Sequence, residues 1–198
     1  LLKRRGRLSG SGRKLDTTLE ERLLVAMLDR LPDALGLPFP LWSDEAIAAW
    51  FAQQGAAVPP RRSLARYRGN WGVLPVLTLE AEAALQVRLA PTPATRAHDA
   101  FWIAAMPWSP PPPAPAGSAR WLLFARGTRG RLYWAACAHA PQPADWIALC
   151  RKLAGSGTRP LHLAVSGLAP AHRAELGAWM STQMPPVVWS EFNPQPGT

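Results

Sequence analysis

Five side chains within eight positions could do the most definite chemistry in this sequence: Arg61, Arg62, Ser63, Arg66 and Arg68. A guanidinium is a planar, permanently charged fork of donors, matched to phosphate oxygens and to the major-groove edge of guanine. Leu64, Tyr67 and Trp71 interleave with them at i, i+3 and i+7, which predicts a helix with an apolar side toward a core and arginines on another side. A second basic group, Lys3, Arg4, Arg5, Arg7, Arg13 and Lys14, falls in the first fourteen residues with no acid among them. Within it, Arg5-Gly6-Arg7 has the form of a minor-groove hook, where a small glycine lets two guanidiniums enter a narrow negative groove. The expected ligand is double-stranded DNA, held by Arg4, Arg5, Arg7, Arg13 and Lys14 and by Arg61, Arg62, Ser63, Arg66 and Arg68. The plainer readings are a solvated arginine face and a solvated linker.

Other chemistries find little support. His98, His139, His162 and His172 are scattered, with no His-Glu-x-x-His spacing, so no metal site is expected. Cys137 and Cys150 are the two cysteines, too few for a disulfide scaffold or a four-ligand zinc site, and they read as free thiols in a reducing cytoplasm. Ser166 precedes Gly167 without the flanking Gly-x-Ser-x-Gly of a nucleophile turn. There is no Walker sequence and no glycine-rich dinucleotide loop, so no cofactor is expected. No apolar run reaches the length of a membrane span and no signal-peptide core follows the basic start. The expected location is cytoplasmic and nucleoid-associated.

The chain that must position these groups has 198 residues, 48% of them hydrophobic, with ten tryptophans and a formal net charge of +9. That suffices for one ordinary domain and a smaller one, and the charge favours a polyanionic partner. Thr18 and Glu21 have capping-box spacing ahead of Leu23, Leu24, Met27, Leu28 and Leu31, a helix that Pro32 stops. Residues 37–42, with Pro38 and Pro40, form an ordered connection that sends Phe39 and Trp42 to the core. Ser43 caps a second helix bearing Ile47, Trp50 and Phe51, which Gly55 ends. The arginine helix follows Pro59 and Pro60 and closes near Gly69 or Gly72. Residues 73–96 connect, with a helix across Glu80, Glu82, Leu85 and Leu89.

Beyond that point the period shortens. Strands are expected at 100–106, 120–125 and 131–137, with a proline-rich loop over 107–115 and a tight turn at 127–130. A helix over 144–153, a strand over 161–165, a helix over 170–180 and a strand over 187–190 follow. Three hairpin-linked strands and two strand-helix units fit a ribonuclease-H-like mixed sheet with helices on its faces. The fold class is therefore α+β or α/β: a basic arm (1–17), a winged helix-turn-helix DNA-binding domain (18–75), a connector (76–98) and a ribonuclease-H-like domain (99–198).

Three stretches, Gly10-Ser-Gly-Arg-Lys-Leu15, Leu37-Pro-Phe-Pro-Leu-Trp42 and Ser63-Leu-Ala-Arg-Tyr-Arg-Gly-Asn-Trp-Gly72, together resemble the second helix-turn-helix half of bacterial insertion-sequence transposases of the mariner type. The resemblance implies an upstream helix-turn-helix module and, in the second half, three metal-binding acids. The stretches that correspond to those acids place Ala104, Ser166 and Pro196 where the family has carboxylates. Divalent ions in this chemistry need hard, charged oxygen ligands. No acid occurs between Asp145 and Glu175, so a shift of register does not rescue the central position. The expectation is a non-enzymatic, transposase-derived DNA binder acting as a transcriptional regulator or architectural protein, with DNA and a second copy of the chain as partners. The alternatives are a protein-interaction module recruited through the Trp/Pro-rich second domain and its 107–115 loop, or a decaying transposase without function.

Overall fold

A computed structural model describes residues 15–194 except 119, 129, 156, 158 and 186. The expected basic-arm contacts Arg4, Arg5, Arg7, Arg13 and Lys14, and the Pro196 position, lie outside the described residues. Among those described, six α-helices and five strands follow in the order α1 (Thr17–Asp29), α2 (Asp44–Gln53), α3 (Arg61–Asn70), α4 (Leu79–Arg88), β1 (Asp99–Trp108), β2 (Arg120–Gly127), β3 (Leu132–Cys137), α5 (Pro143–Gly155), β4 (Leu161–Val165), α6 (Pro170–Ser181) and β5 (Val188–Glu191). The strands form one mixed sheet in the order β3-β2-β1-β4-β5. β1 runs antiparallel to β2 and parallel to β4, β2 is antiparallel to β3, and β4 is parallel to β5. The fold is mixed α and β, with the expected alternation of elements after residue 99.

Strand alternation assigns the two faces. Trp102, Ala104, Leu122, Phe124 and Trp134 point to one side, where they join a cluster with Leu23, Ile47, Leu64, Trp71 and Leu85 from the four N-terminal helices. Phe101, Ile103, Leu123 and Leu163 point to the other, against Trp146, Leu149 and Cys150 of α5 and Leu176 of α6. The sheet is thus the middle layer between α1–α4 and α5–α6. A strand buried on both faces reads as a continuous apolar run, which is how Phe101-Trp-Ile-Ala appears in sequence.

Local chemistry sets the helix ends. Ser43 accepts a hydrogen bond from the Ala46 amide at 3.2 Å and starts α2 as expected. At α1 the cap is Asp16, which accepts from Leu19 N at 3.1 Å, so the helix begins at Thr17, ahead of the expected Thr18 cap. A carboxylate one position upstream of Thr17 is as good an N-cap as threonine and gains from the helix dipole. Gly55 adopts φ +66° where α2 stops, a backbone conformation that L side chains rarely take.

Two further differences have physical causes. β1 extends through Pro107 and Trp108, which were expected in the loop. The pairing of β1 with β4 ends at Ile103, so beyond it β1 has a neighbour on one side alone and a residue lacking N–H is tolerated there. The expected wing is not seen: among the described residues before Asp99 there is no strand, and α3 leads through residues 71–78 into α4. The one β-contact of this region is the bridge between Trp42 and Trp134, with N···O distances of 3.1 and 3.0 Å.

That bridge gives residues 37–42 a definite role. Leu37 and Trp42 belong to the cluster under the N-terminal helices, whereas Leu41 joins the cluster on the opposite face. The segment therefore wraps the exposed edge of β3, and the Trp42 indole donates to the Arg30 carbonyl at 2.8 Å. Covering an edge strand removes a template for unwanted pairing.

Candidate nucleic-acid interface

The α3 helix is fastened from beneath before it presents anything outward. Leu64, Tyr67 and Trp71 are buried as their spacing required. The Trp71 indole donates to Glu20 of α1 at 2.9 Å, and the Trp71 carbonyl accepts from the Trp108 indole of β1 at 2.7 Å. A helix held by both a neighbouring helix and the sheet presents its outer face in one orientation. Gly72, at φ +71°, turns the chain directly after it beside the Trp108 ring.

The outer face carries Arg61, Arg62 and Arg66, all exposed, with Ser63 half-buried at the margin. Arg62 and Arg66 are one turn apart on the same side. Between and after them stand Ala65 and Gly69, both exposed and too small to hold a duplex away from the helix backbone. Arg66 places its guanidinium 5.5 Å from the Tyr67 ring centroid, a cation–π contact that orients it. No side chain caps the N-terminus of α3, which follows Pro60, and the Ser63 amide closes the first turn on the Pro60 carbonyl at 2.7 Å.

Arg68 departs from the sequence expectation. It is 9% exposed and its Nε lies 2.8 Å from Asp44 Oδ1 of α2. Burial raises the Asp44 pKa, against the lowering pull of Arg68 and, more weakly, of Arg61. Arg68 is a fastener between α2 and α3 and is withdrawn from the set of DNA contacts. It lies among the apolar residues of the inward side, where an arginine survives only when paired.

Asn70 was missed in sequence. It is exposed and follows Arg66 by one turn on the same helix. An asparagine amide matches adenine as arginine matches guanine. Its signal was available in the i, i+4 spacing from Arg66, but its closeness to Trp71 and Gly72 made it look like part of the helix stop. The connection between α2 and α3, residues 54–60, is longer than the turn of about 3–4 residues usual for a helix-turn-helix.

The two described positions of the expected triad, Ala104 and Ser166, are filled by packing. Ala104 is 6% exposed on the sheet face that α1–α4 cover. Ser166, 3% exposed at the end of β4, accepts from the Trp102 indole at 2.8 Å and donates to the Phe192 carbonyl at 2.6 Å. Both directions of its hydroxyl are committed to structure. Among the described residues, no three His, Cys, Asp or Glu side chains converge as metal ligands. No described helix is long and apolar enough to cross a membrane.

Seven tryptophans, Trp42, Trp50, Trp71, Trp102, Trp108, Trp134 and Trp146, are buried and thus unavailable as a recruiting surface. Cys150 is buried and its thiol is pushed up to about 12, while half-buried Cys137 is raised to about 11, in both cases by loss of solvent. Neither is an activated nucleophile at neutral pH. Comparison with protein-family models, curated proteins and solved structures gave no match.

Proposed function

We propose that this chain is a double-stranded DNA-binding protein of transposase ancestry that occupies DNA without cutting it, as a transcriptional regulator or architectural binder. The observation that carries the reading is the division of labour on α3. Arg61, Arg62 and Arg66 project to solvent above a face made shallow by Ala65 and Gly69, while Arg68 is spent on anchoring. Arg62 and Arg66 meet the major groove or its phosphates, Asn70 lies one turn further along, and Arg61 meets the flanking backbone. The basic arm with Arg4, Arg5 and Arg7 follows the neighbouring minor groove.

The sheet order β3-β2-β1-β4-β5, with its first three strands antiparallel and the next two parallel, is the order of a ribonuclease-H-like sheet and supports the ancestry read from the sequence. Loss of phosphodiester chemistry is part of the same proposal. Two-metal cleavage needs converging carboxylates, and the two described positions offer a buried alanine and a doubly hydrogen-bonded serine.

The test is duplex binding by fluorescence anisotropy, with and without the double substitution Arg62→Ala and Arg66→Ala. Loss of two charged contacts, each of roughly 1–3 kcal/mol, lowers affinity by at least tenfold. Equal binding by the two proteins overturns the assignment of the interface, and nicking of the duplex in magnesium or manganese overturns the non-enzymatic part.

A further inference from the structure

The α4 helix has an outward face that the fold leaves uncovered. Ala81, Leu85 and the following Leu89 are turned into the core, and on the opposite side stand Leu79, Ala83 and Val87 at i, i+4 and i+8, all exposed. Leu79 is 86% and Val87 78% exposed, and Val76, just before the helix, is 86% exposed. Single exposed apolar residues are ordinary, but a straight stripe of them along a helix marks a contact surface.

The charges beside the stripe select the occupant. Glu82 and Gln86 are engaged within the chain: Arg126 donates to Glu82, and the Gln86 amide donates to it at 3.1 Å. Glu80, near the start of α4, and Arg88, at its end, are both exposed. They lie eight residues apart, too far to pair with each other along one helix. When two copies of α4 pack antiparallel about a twofold axis through Ala83, Leu79 meets the partner's Val87, and Glu80 comes within reach of the partner's Arg88. Symmetry makes each contact twice, and the antiparallel helix dipoles add to the attraction.

We propose that α4 is a homodimerisation surface, closed by the Leu79–Val87 contacts and by reciprocal Glu80–Arg88 ion pairs. This goes beyond the DNA-binding reading and is measured without DNA, so either can fail alone. A single-helix contact buries less than a standard stable interface, so the dimer is weak and concentration-dependent. On DNA, two linked readers would gain by effective concentration.

The experiment is analytical ultracentrifugation of the full chain from micromolar to near-millimolar concentration, in low and moderate salt. The wild type shifts from monomer to dimer. Leu79→Glu raises the dissociation constant by at least tenfold with an unchanged far-UV circular dichroism spectrum. Glu80→Arg, which sets like charges face to face, weakens the dimer, and adding Arg88→Glu to it restores the dimer. A wild type that stays monomeric throughout overturns the proposal, as does a dimer indifferent to Leu79→Glu or a double charge exchange that fails to rescue. Because Leu79 and Glu80 are solvent-exposed, the variants report on association and not on folding.

Discussion

Arg62, Arg66 and Arg68 stand within seven positions of one helix, yet their surroundings give them opposite work. Arg62 and Arg66 face water, so replacing either by alanine changes stability by less than about 0.5 kcal/mol while weakening DNA binding. Arg68→Ala strands Asp44 in a partly dry site and costs about 3 kcal/mol, which urea denaturation will show as a lower midpoint. The helical phase of this contrast is legible in the sequence, since Arg68 stands four positions after Leu64 and three before Trp71 on the inward side, but nothing in the sequence announces its partner Asp44 on α2. His162 behaves differently again. Burial lowers its pKa from the ordinary 6.5, with the neighbouring His98 adding to the effect. The folded state therefore binds fewer protons than the unfolded chain, so stability is full above about pH 6.5 and falls as the pH drops toward the lowered folded value. Comparison of urea midpoints at about pH 7.5 and about pH 5 will show a loss on the acid side that is smaller in His162→Asn. The thiols offer a check of burial alone: Cys150, pushed up to about 12, should react with an aromatic disulfide reagent once the protein is unfolded, whereas Cys137 reacts slowly in the native state.

The elements most legible in the sequence are those whose causes are local. Ser43, the glycine after α2, and the Gly127–Gly130 turn, closed by a Gly130 N to Gly127 O bond of 3.1 Å, all act over a few residues. The strands after residue 99 are equally legible, as short apolar runs closed on at least one side by glycine or proline. What escaped was any pairing between distant stretches. Residues 37–42 looked like a packed connection, but their partner is Trp134 on the edge of β3, and nothing near either position announces the bridge. The wing is absent among the described residues for a local reason: the chain after α3 passes into α4, capped by Thr78 on the Ala81 amide at 3.2 Å, which is the helix expected across Glu80 to Leu89. Trp42→Ala removes a fully buried indole, its bond to Arg30 and the packing that seats the bridge, at a cost of about 3–5 kcal/mol. Equilibrium unfolding would register it, and an unchanged midpoint would argue that the edge is secured elsewhere.

At the scale of the molecule, one apolar cluster joins the N-terminal helices to the sheet, so the arginine face of α3 is carried on a scaffold that includes Trp108 of β1. A shared core predicts one cooperative transition, with tryptophan fluorescence and far-UV circular dichroism coincident in urea. Two separated transitions would mean that the helices and sheet fold apart. The same sharing explains why the covered sheet face at Ala104 and Ser166 is packed instead of open. Whether this scaffold offers the outer side of α3 to a duplex can be read by titrating labelled protein with double-stranded DNA and following backbone amide shifts. The largest changes are expected at Arg62, Ala65, Arg66, Gly69 and Asn70, with α5 and α6 unmoved. Saturable binding that leaves those five amides unshifted would contradict it.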